Sequence, residues 1–170
     1  GCGCGRVTRY WEGFHGAVAG TDVSRPAVAW CRRNLPFARF ETNALEPPLA
    51  FADESFDLVY ALSVFTHLTE PLQLAWRDEL RRVLRPGGLL LVTTHGRSYL
   101  RRLAPDERER FERGELVVRW GDIPGTNLCS AYHPEAYLRD VFARGFALVE
   151  LEPEGARGNP TQDLVLLRKA

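Results

Sequence analysis

The chain has 170 residues, of which 45% are hydrophobic and 26% charged, with Lys+Arg 22 against Asp+Glu 22. That length suits one domain with a sizeable core, and a neutral balance offers no electrostatic attraction to nucleic acid or to an anionic membrane. No apolar run reaches the roughly 18 residues of a membrane span and no signal peptide is visible, so the expected location is cytoplasmic.

The chain opens on Gly1-Cys2-Gly3-Cys4-Gly5-Arg6. Glycine tolerates positive φ and carries no side chain, so such a loop lets backbone N–H groups approach a ligand closely. Val7, Tyr10, Trp11 and Phe14 then follow i, i+3, i+4, i+7 spacing, which predicts an amphipathic helix over 6–15 ended by His15-Gly16. Ala17 to Thr21 is a short apolar run of the kind that makes a buried parallel strand, and Asp22 stands directly after it. Ser24 is placed to cap a helix over 25–34, with Pro26 in its first turn and Val28, Cys31 and Leu35 inward. Residues 37–43 read as a second strand and 56–62 as a third. After Glu70-Pro71 a long amphipathic helix carries Leu74, Leu80, Val83 and Leu84 inward and stops at Arg85-Pro86-Gly87-Gly88. Leu89 to Thr94 is a fourth buried strand.

Beyond this point the pattern changes. Arg101 to Arg113 is a charged helix candidate with a solvated face, Glu115 to Trp120 a short strand, and 121–132 polar and irregular. Pro134 to Arg144 reads as a helix. Residues 146–152 and 163–168 read as two strands joined by a Gly/Pro/Asn loop, hence an antiparallel hairpin. The β-α-β alternation predicts an α/β fold: a doubly wound, mostly parallel sheet with a C-terminal antiparallel hairpin, in one domain spanning 1–170. Ligands in such sheets bind at the carboxyl ends of the strands. The four cysteines, Cys2, Cys4, Cys31 and Cys129, are expected as reduced thiols. Cys2-x-Cys4 is too tight for usual zinc spacing and lacks a partner pair, so no metal is expected.

Gly1-x-Gly3-x-Gly5, then Asp22 ending the next strand, then Phe56-Asp57-Leu58-Val59-Tyr60-Ala61 and Leu84-Arg85-Pro86-Gly87-Gly88 stand in the order of a known family. Residues 1 to about 96 resemble the class I S-adenosylmethionine-dependent methyltransferases, most nearly the small-molecule branch. The resemblance implies a Rossmann-like fold, S-adenosylmethionine as cofactor, and methyl transfer to a small-molecule acceptor. It implies that Gly1, Gly3 and Gly5 lie against the cofactor's amino-acid tail, and that Asp22 accepts from both ribose hydroxyls. Val23 is then expected on the adenine face, Asn43 and Ala44 at its edge, and the Ala61 backbone toward the methionine part. The family places its central first strand, preceded by a helix, just ahead of the glycine loop. Neither is present here, so the chain reads as N-terminally truncated and of marginal stability alone.

Methyl transfer is an in-line displacement at an activated carbon, and the protein mostly supplies proximity and orientation. A general base is needed only for a hydroxyl or a protonated amine. His67 and His133 are the candidates, with His95 beside them at the end of a strand; a structural hydrogen bond is the competing role for each. Segment 95–133 occupies the place of a substrate-recognition insertion, in which Arg97, Tyr99, Trp120, Asn127 and Tyr132 are candidate pocket residues. Two rivals stand beside this reading: a nicotinamide-dependent oxidoreductase, disfavoured because Gly1-x-Gly3-x-x-Arg6 breaks the third-glycine rule, and a non-catalytic binding module that retains only the fold. The residues leave the acceptor and the oligomeric state open.

Overall fold

The computed structural model describes all 170 residues, which divide into two compact units, Gly1–Ala50 and Phe51–Ala170. The architecture is α/β, and its strands form a two-stranded, a four-stranded and a second two-stranded sheet. No helix is long and apolar enough to cross a membrane.

In the first unit the glycine loop leads to a single 3₁₀ turn, Thr8–Trp11, rather than the expected helix over 6–15. Gly13 at φ +83° turns the backbone left-handed and breaks the helical run. Tyr10 and Phe14 are exposed, so the periodic aromatic face has no core to enter. Strand β1 (Ala19–Asp22) pairs in parallel with β2 (Arg39–Thr42), and helix α1 (Arg25–Asn34) connects them. Ser24 caps α1 by accepting from the Ala27 N–H, as its position predicts. The buried face is Val28, Cys31 and Leu35 against Phe40, with Cys2, Phe37 and Ala38 around them.

The second unit is built on β3 (Phe56–Ala61), β4 (Leu84–Thr94), β7 (Phe146–Ala156) and β8 (Gln162–Lys169), in the order β3-β4-β8-β7. The pair β3–β4 is parallel, while β8 runs antiparallel to both β4 and β7. The parallel α/β sheet and its antiparallel ending therefore stand as the residue pattern predicts. Helix α2 (Glu70–Val83) makes the crossover from β3 to β4. Its inner face differs in part from expectation: Leu80 and Val83 are buried, but so are Gln73 and Glu79, while Leu74 is only half-buried.

Strand β4 begins five residues earlier than its apolar run. Phe56 pairs with Leu84, Leu58 with Leu89, and Arg85–Gly88 bulges out between the two contacts. Gly87 takes φ +76°, and a side chain on Gly88 would press within 2.9 Å of the Arg85 carbonyl, so the Pro-Gly-Gly run is what permits the bulge. Arg85 Nη1 holds both carboxylate oxygens of Asp57 at 2.6 and 2.7 Å across it.

Between β4 and β7 lie a 3₁₀ helix, Arg97–Arg102, then α3 (Pro105–Glu112) and the antiparallel pair β5 (Val117–Arg119) and β6 (Ser130–Tyr132). The charged helix is shorter than 101–113 because Pro105 can start a helix but not continue one. Tyr99, Leu103, Phe111, Val117 and Tyr132 form a separate small core beneath it. Residues 135–142 are helical as expected, with a π turn over Leu138–Phe142.

Candidate functional site

In the first unit the glycine loop and the end of β1 are joined directly. The Gly3 N–H donates to Asp22 Oδ2 at 2.7 Å, and the Ser24 N–H donates to Oδ1 at 2.8 Å. The Gly1 nitrogen and the Cys2 N–H both donate to the Thr21 carbonyl, at 2.7 and 2.9 Å. The Asn43 N–H donates to the Asp22 carbonyl at 3.2 Å, which ties the end of β2 to the same point. Gly1, Gly3, Asp22 and Asn43 are thus brought together by short-range geometry. Asp22 orders the loop rather than capping α1, which Ser24 does.

The two glycines past Cys2 do different things. Gly3 has φ +53° and no atom within 4 Å of where a Cβ would stand, so that side of the loop is open. Gly5 has φ +71°, and a Cβ there would run into Leu35 Cδ1, with Cys31 Sγ at 3.3 Å. Gly5 therefore seats the loop against α1. Val23, next to Asp22, is an exposed aliphatic side chain. Ala44 is exposed and accepts from Asn43 Nδ2 at 2.6 Å, while Asn43 Oδ1 is buried with no hydrogen-bond donor.

These features fit S-adenosylmethionine. The open face at Gly3 admits a polar tail. Asp22 keeps acceptor lone pairs beyond the two already used, enough for a diol. The orphaned Asn43 oxygen is an acceptor suited to an exocyclic amine, and Val23 offers an apolar face to a purine.

Ala61 ends β3 in the second unit, half-buried and paired with Val92. Just past it Ser63 takes φ +58°, a left-handed conformation costly for a residue with a side chain. The Ser63 N–H donates to Thr93 Oγ1 at 2.8 Å, and that hydroxyl gives its one proton to Gln162 Oε1 at 2.6 Å. Gln162 Nε2 then donates to Ser63 Oγ at 3.0 Å and approaches His95 Nε2 at 3.3 Å. Because the amide nitrogen can only donate, His95 Nε2 is the acceptor and the ring proton sits on Nδ1. Burial, with smaller contributions from His67 and Arg102, pushes His95 down to about 4. The ring stacks on Tyr99 at 4.1 Å. Ser63, Thr93 and Gln162 have no counterpart in the sequence reading. A hydroxyl or an amide carries no motif, and only the ladder pairing of β4 with β8 brings them together.

His67 lies in a 3₁₀ turn after β3, and its Nδ1 is 2.8 Å from the Cys129 carbonyl. A carbonyl only accepts, so Nδ1 carries the proton and Nε2 keeps a free lone pair. The His67 carbonyl accepts from the Gly125 N–H at 2.8 Å, so this residue clasps the 121–129 loop at two points.

His133 differs. It is 1% exposed, and its Nε2 is 3.0 Å from Gln73 Oε1. Gln73 spends its amide protons on the Phe65 and Leu68 carbonyls, at 3.2 and 2.9 Å, so its oxygen must accept and His133 must donate. Burial first, then the neighbouring His95, pushes His133 down to about 3. A neutral ring that is sealed off and already donating holds the interior together and does not reach an acceptor. Tyr99 and Tyr132 are likewise core residues; Arg97 is taken up by Glu112 at 2.9 Å, and Trp120 and Asn127 stay exposed.

Residues 1–92 match a family model described as a methyltransferase domain. Over 152 residues the chain is 31% identical to a malonyl-[acyl-carrier protein] O-methyltransferase of Enterobacter lignolyticus, covering 77% of this chain and 59% of that protein. It is 31% identical over 171 residues to a ubiquinone biosynthesis O-methyltransferase of Cereibacter sphaeroides, covering 94% of this chain and 62% of that one. The chain therefore spans about three-fifths of the length of these relatives. A solved S-adenosylmethionine-dependent methyltransferase of Mesorhizobium loti shares the fold, with TM-score 0.73 and 22% identity over 99% of this chain and 88% of that one.

Proposed function

We propose that this chain, which belongs to the methyltransferase domain family, binds S-adenosylmethionine through Gly1–Ala50 and serves methyl transfer to an oxygen of a small-molecule acceptor. The hydrogen bond from Gly3 to Asp22 carries the reading. It joins the glycine loop to the acidic residue, the two parts of the sequence motif that a cofactor needs together. The names of the two relatives support oxygen as the acceptor atom.

In this reading the bound cofactor supplies a methyl group on a sulfonium centre, ready for in-line displacement. The chain holds the molecule: Gly1 and Gly3 leave the tail room, Gly5 keeps the loop on α1, Asp22 accepts from the ribose, Val23 packs on the adenine, and Asn43 and Ala44 meet its edge. Within the second unit, His67 is the residue able to take a hydroxyl proton on Nε2, because its Nδ1–H is bonded to the Cys129 carbonyl and leaves that lone pair available. His133 supports the site from within, through Gln73. The family match over 1–92 speaks for methyl rather than hydride transfer, and the intact Asp22 contact speaks against a module that keeps only the fold.

Calorimetry of S-adenosylmethionine with the chain and with Asp22→Ala tests this. Removing the carboxylate should weaken binding by about 1.5–3 kcal/mol, the range for hydrogen bonds to a charged group. Equal affinity of the two proteins, or stronger binding of a nicotinamide dinucleotide, would refute it.

A further inference from the structure

The second unit holds a cleft of about 500 Å³ beside the 3₁₀ helix Arg97–Arg102, lined among others by Ser98, Tyr99, Arg101, Arg102, Glu154 and Thr161. Its volume is that of a small-ligand site. What sets it apart is how its charges are left. Along 97–119 the other arginines are engaged: Arg97 with Glu112, Arg110 and Arg113 with Glu115, Arg119 with Glu107, and Arg108 with the Leu103 carbonyl. Arg101 and Arg102 have no carboxylate within ion-pair distance.

Arg102 lies over the Tyr99 ring, 4.9 Å from its centroid. That contact steadies the guanidinium without using any of its five N–H donors. Tyr99 is itself fixed, because its hydroxyl donates to the Thr161 carbonyl at 2.6 Å and its ring stacks on His95 at 4.1 Å. Glu154 contributes the one carboxylate of the lining and forms no ion pair with either arginine. Its backbone N–H is anchored on Asp163 Oδ1 at 3.0 Å. Two guanidiniums against one carboxylate leave the cleft with a net positive charge and unused planar donor forks. That arrangement matches an oxyanion taken in bidentate fashion.

We propose that this cleft is an anion-binding site for a phosphate monoester or a carboxylate on a small molecule, held by Arg101 and Arg102 with Ser98 as a further donor. It lies within the second unit and does not depend on the cofactor reading, so it stands or falls separately.

The test is calorimetric titration of the chain with inorganic phosphate and, in parallel, with acetate, at constant ionic strength. Saturable binding of one phosphate with Kd of about 1 mM or tighter assigns the site to phosphate esters; preference for acetate assigns it to carboxylates. Either affinity should fall about tenfold or more in R101Q and R102Q, since each removes a charged donor pair. R139Q, at an arginine paired with Glu135 elsewhere, should bind as the parent does. Melting temperatures in anion-free buffer show that the variants are folded, and the exposed R101Q serves if R102Q is not. Absence of saturable binding of both anions, or binding retained in R101Q and R102Q alike, overturns the proposal.

Discussion

Acidification from pH 7 to pH 5 should destabilise the folded chain through two histidines. His133 is 1% exposed and pushed down to about 3, and His95 is 7% exposed and pushed down to about 4, in both cases chiefly by burial. A histidine whose folded pKa lies below its unfolded value of about 6.5 contributes stability that is complete above 6.5 and lost as pH falls toward the folded value. At pH 5 the unfolded ring is almost fully protonated while the folded ring is still neutral. Linkage then gives a loss of about 2 kcal/mol for each residue between pH 7 and 5. Together that is about 4 kcal/mol, a large part of the 5–15 kcal/mol that holds a domain folded. Asp163, whose carboxyl is raised by burial, works in the opposite direction. Urea unfolding at the two pH values, with His133→Phe as the comparison, isolates one contribution. The variant leaves Gln73 Oε1 without its donor, a cost that does not vary with pH. Its loss of stability between pH 7 and 5 should therefore be smaller than the parent's by about 2 kcal/mol. An identical pH dependence in the two proteins would refute the neutral, buried assignment of His133.

Three further outcomes follow. Gln73→Leu strands the Phe65 and Leu68 carbonyls and the His133 N–H together; at about 1–3 kcal/mol for each buried orphan, it should cost about 3 kcal/mol or more in urea unfolding at pH 7, and a near-neutral result would mean water reaches this site. Gly5→Ala places a methyl group against Leu35 in a left-handed backbone, so the melt should fall by the equivalent of about 1–3 kcal/mol, whereas Gly3→Ala meets no neighbouring atom and should lose only the backbone share. His67→Ala should lower turnover about 10²-fold with cofactor affinity kept; unchanged turnover would leave orientation as the whole of the chemistry.

Much of the fold is legible because its strands are short apolar runs between turn residues that act locally. Ser24 and Pro26 start α1 through their own backbone geometry, and no distant contact is needed to predict it. The helix expected over 6–15 shows the converse. Its i, i+3, i+4, i+7 residues are a pattern without a partner surface, and Gly13 sits where the helix would have to continue. Periodicity states which residues would share a face and is silent on whether that face is covered. The β4 bulge is intermediate: Pro86-Gly87-Gly88 signals the end of a helix, yet the same glycines let the chain resume pairing with β3 after leaving the ladder.

The candidate site divides along the same line. Gly3 and Asp22 are recognisable because the glycine loop, the carboxylate ending the next strand and the Leu84–Gly88 run follow one another in a set order along the chain. The histidines are not separable in this way. His67, His95 and His133 each follow or flank a strand end, and nothing adjacent in the chain ranks them. Their partners do. A carbonyl opposite His67 Nδ1 frees Nε2 to accept a proton. An amide nitrogen opposite His95 Nε2 occupies that lone pair, and an amide oxygen opposite His133 Nε2 commits its proton. Each partner is identified in turn by what else it bonds: Gln73 by two carbonyls, Gln162 by Thr93 and Ser63. The contacts of the three rings and of Gln162 span 60 to 99 residues of sequence, while the two carbonyls that orient Gln73 lie only 8 and 5 residues away. Donor and acceptor counts across the folded sheet thus fix the tautomer of each ring, and burial separates the rest: the His133 Nδ1 lone pair is sealed inside, whereas the His67 ring, with its Nε2 lone pair, is half-buried.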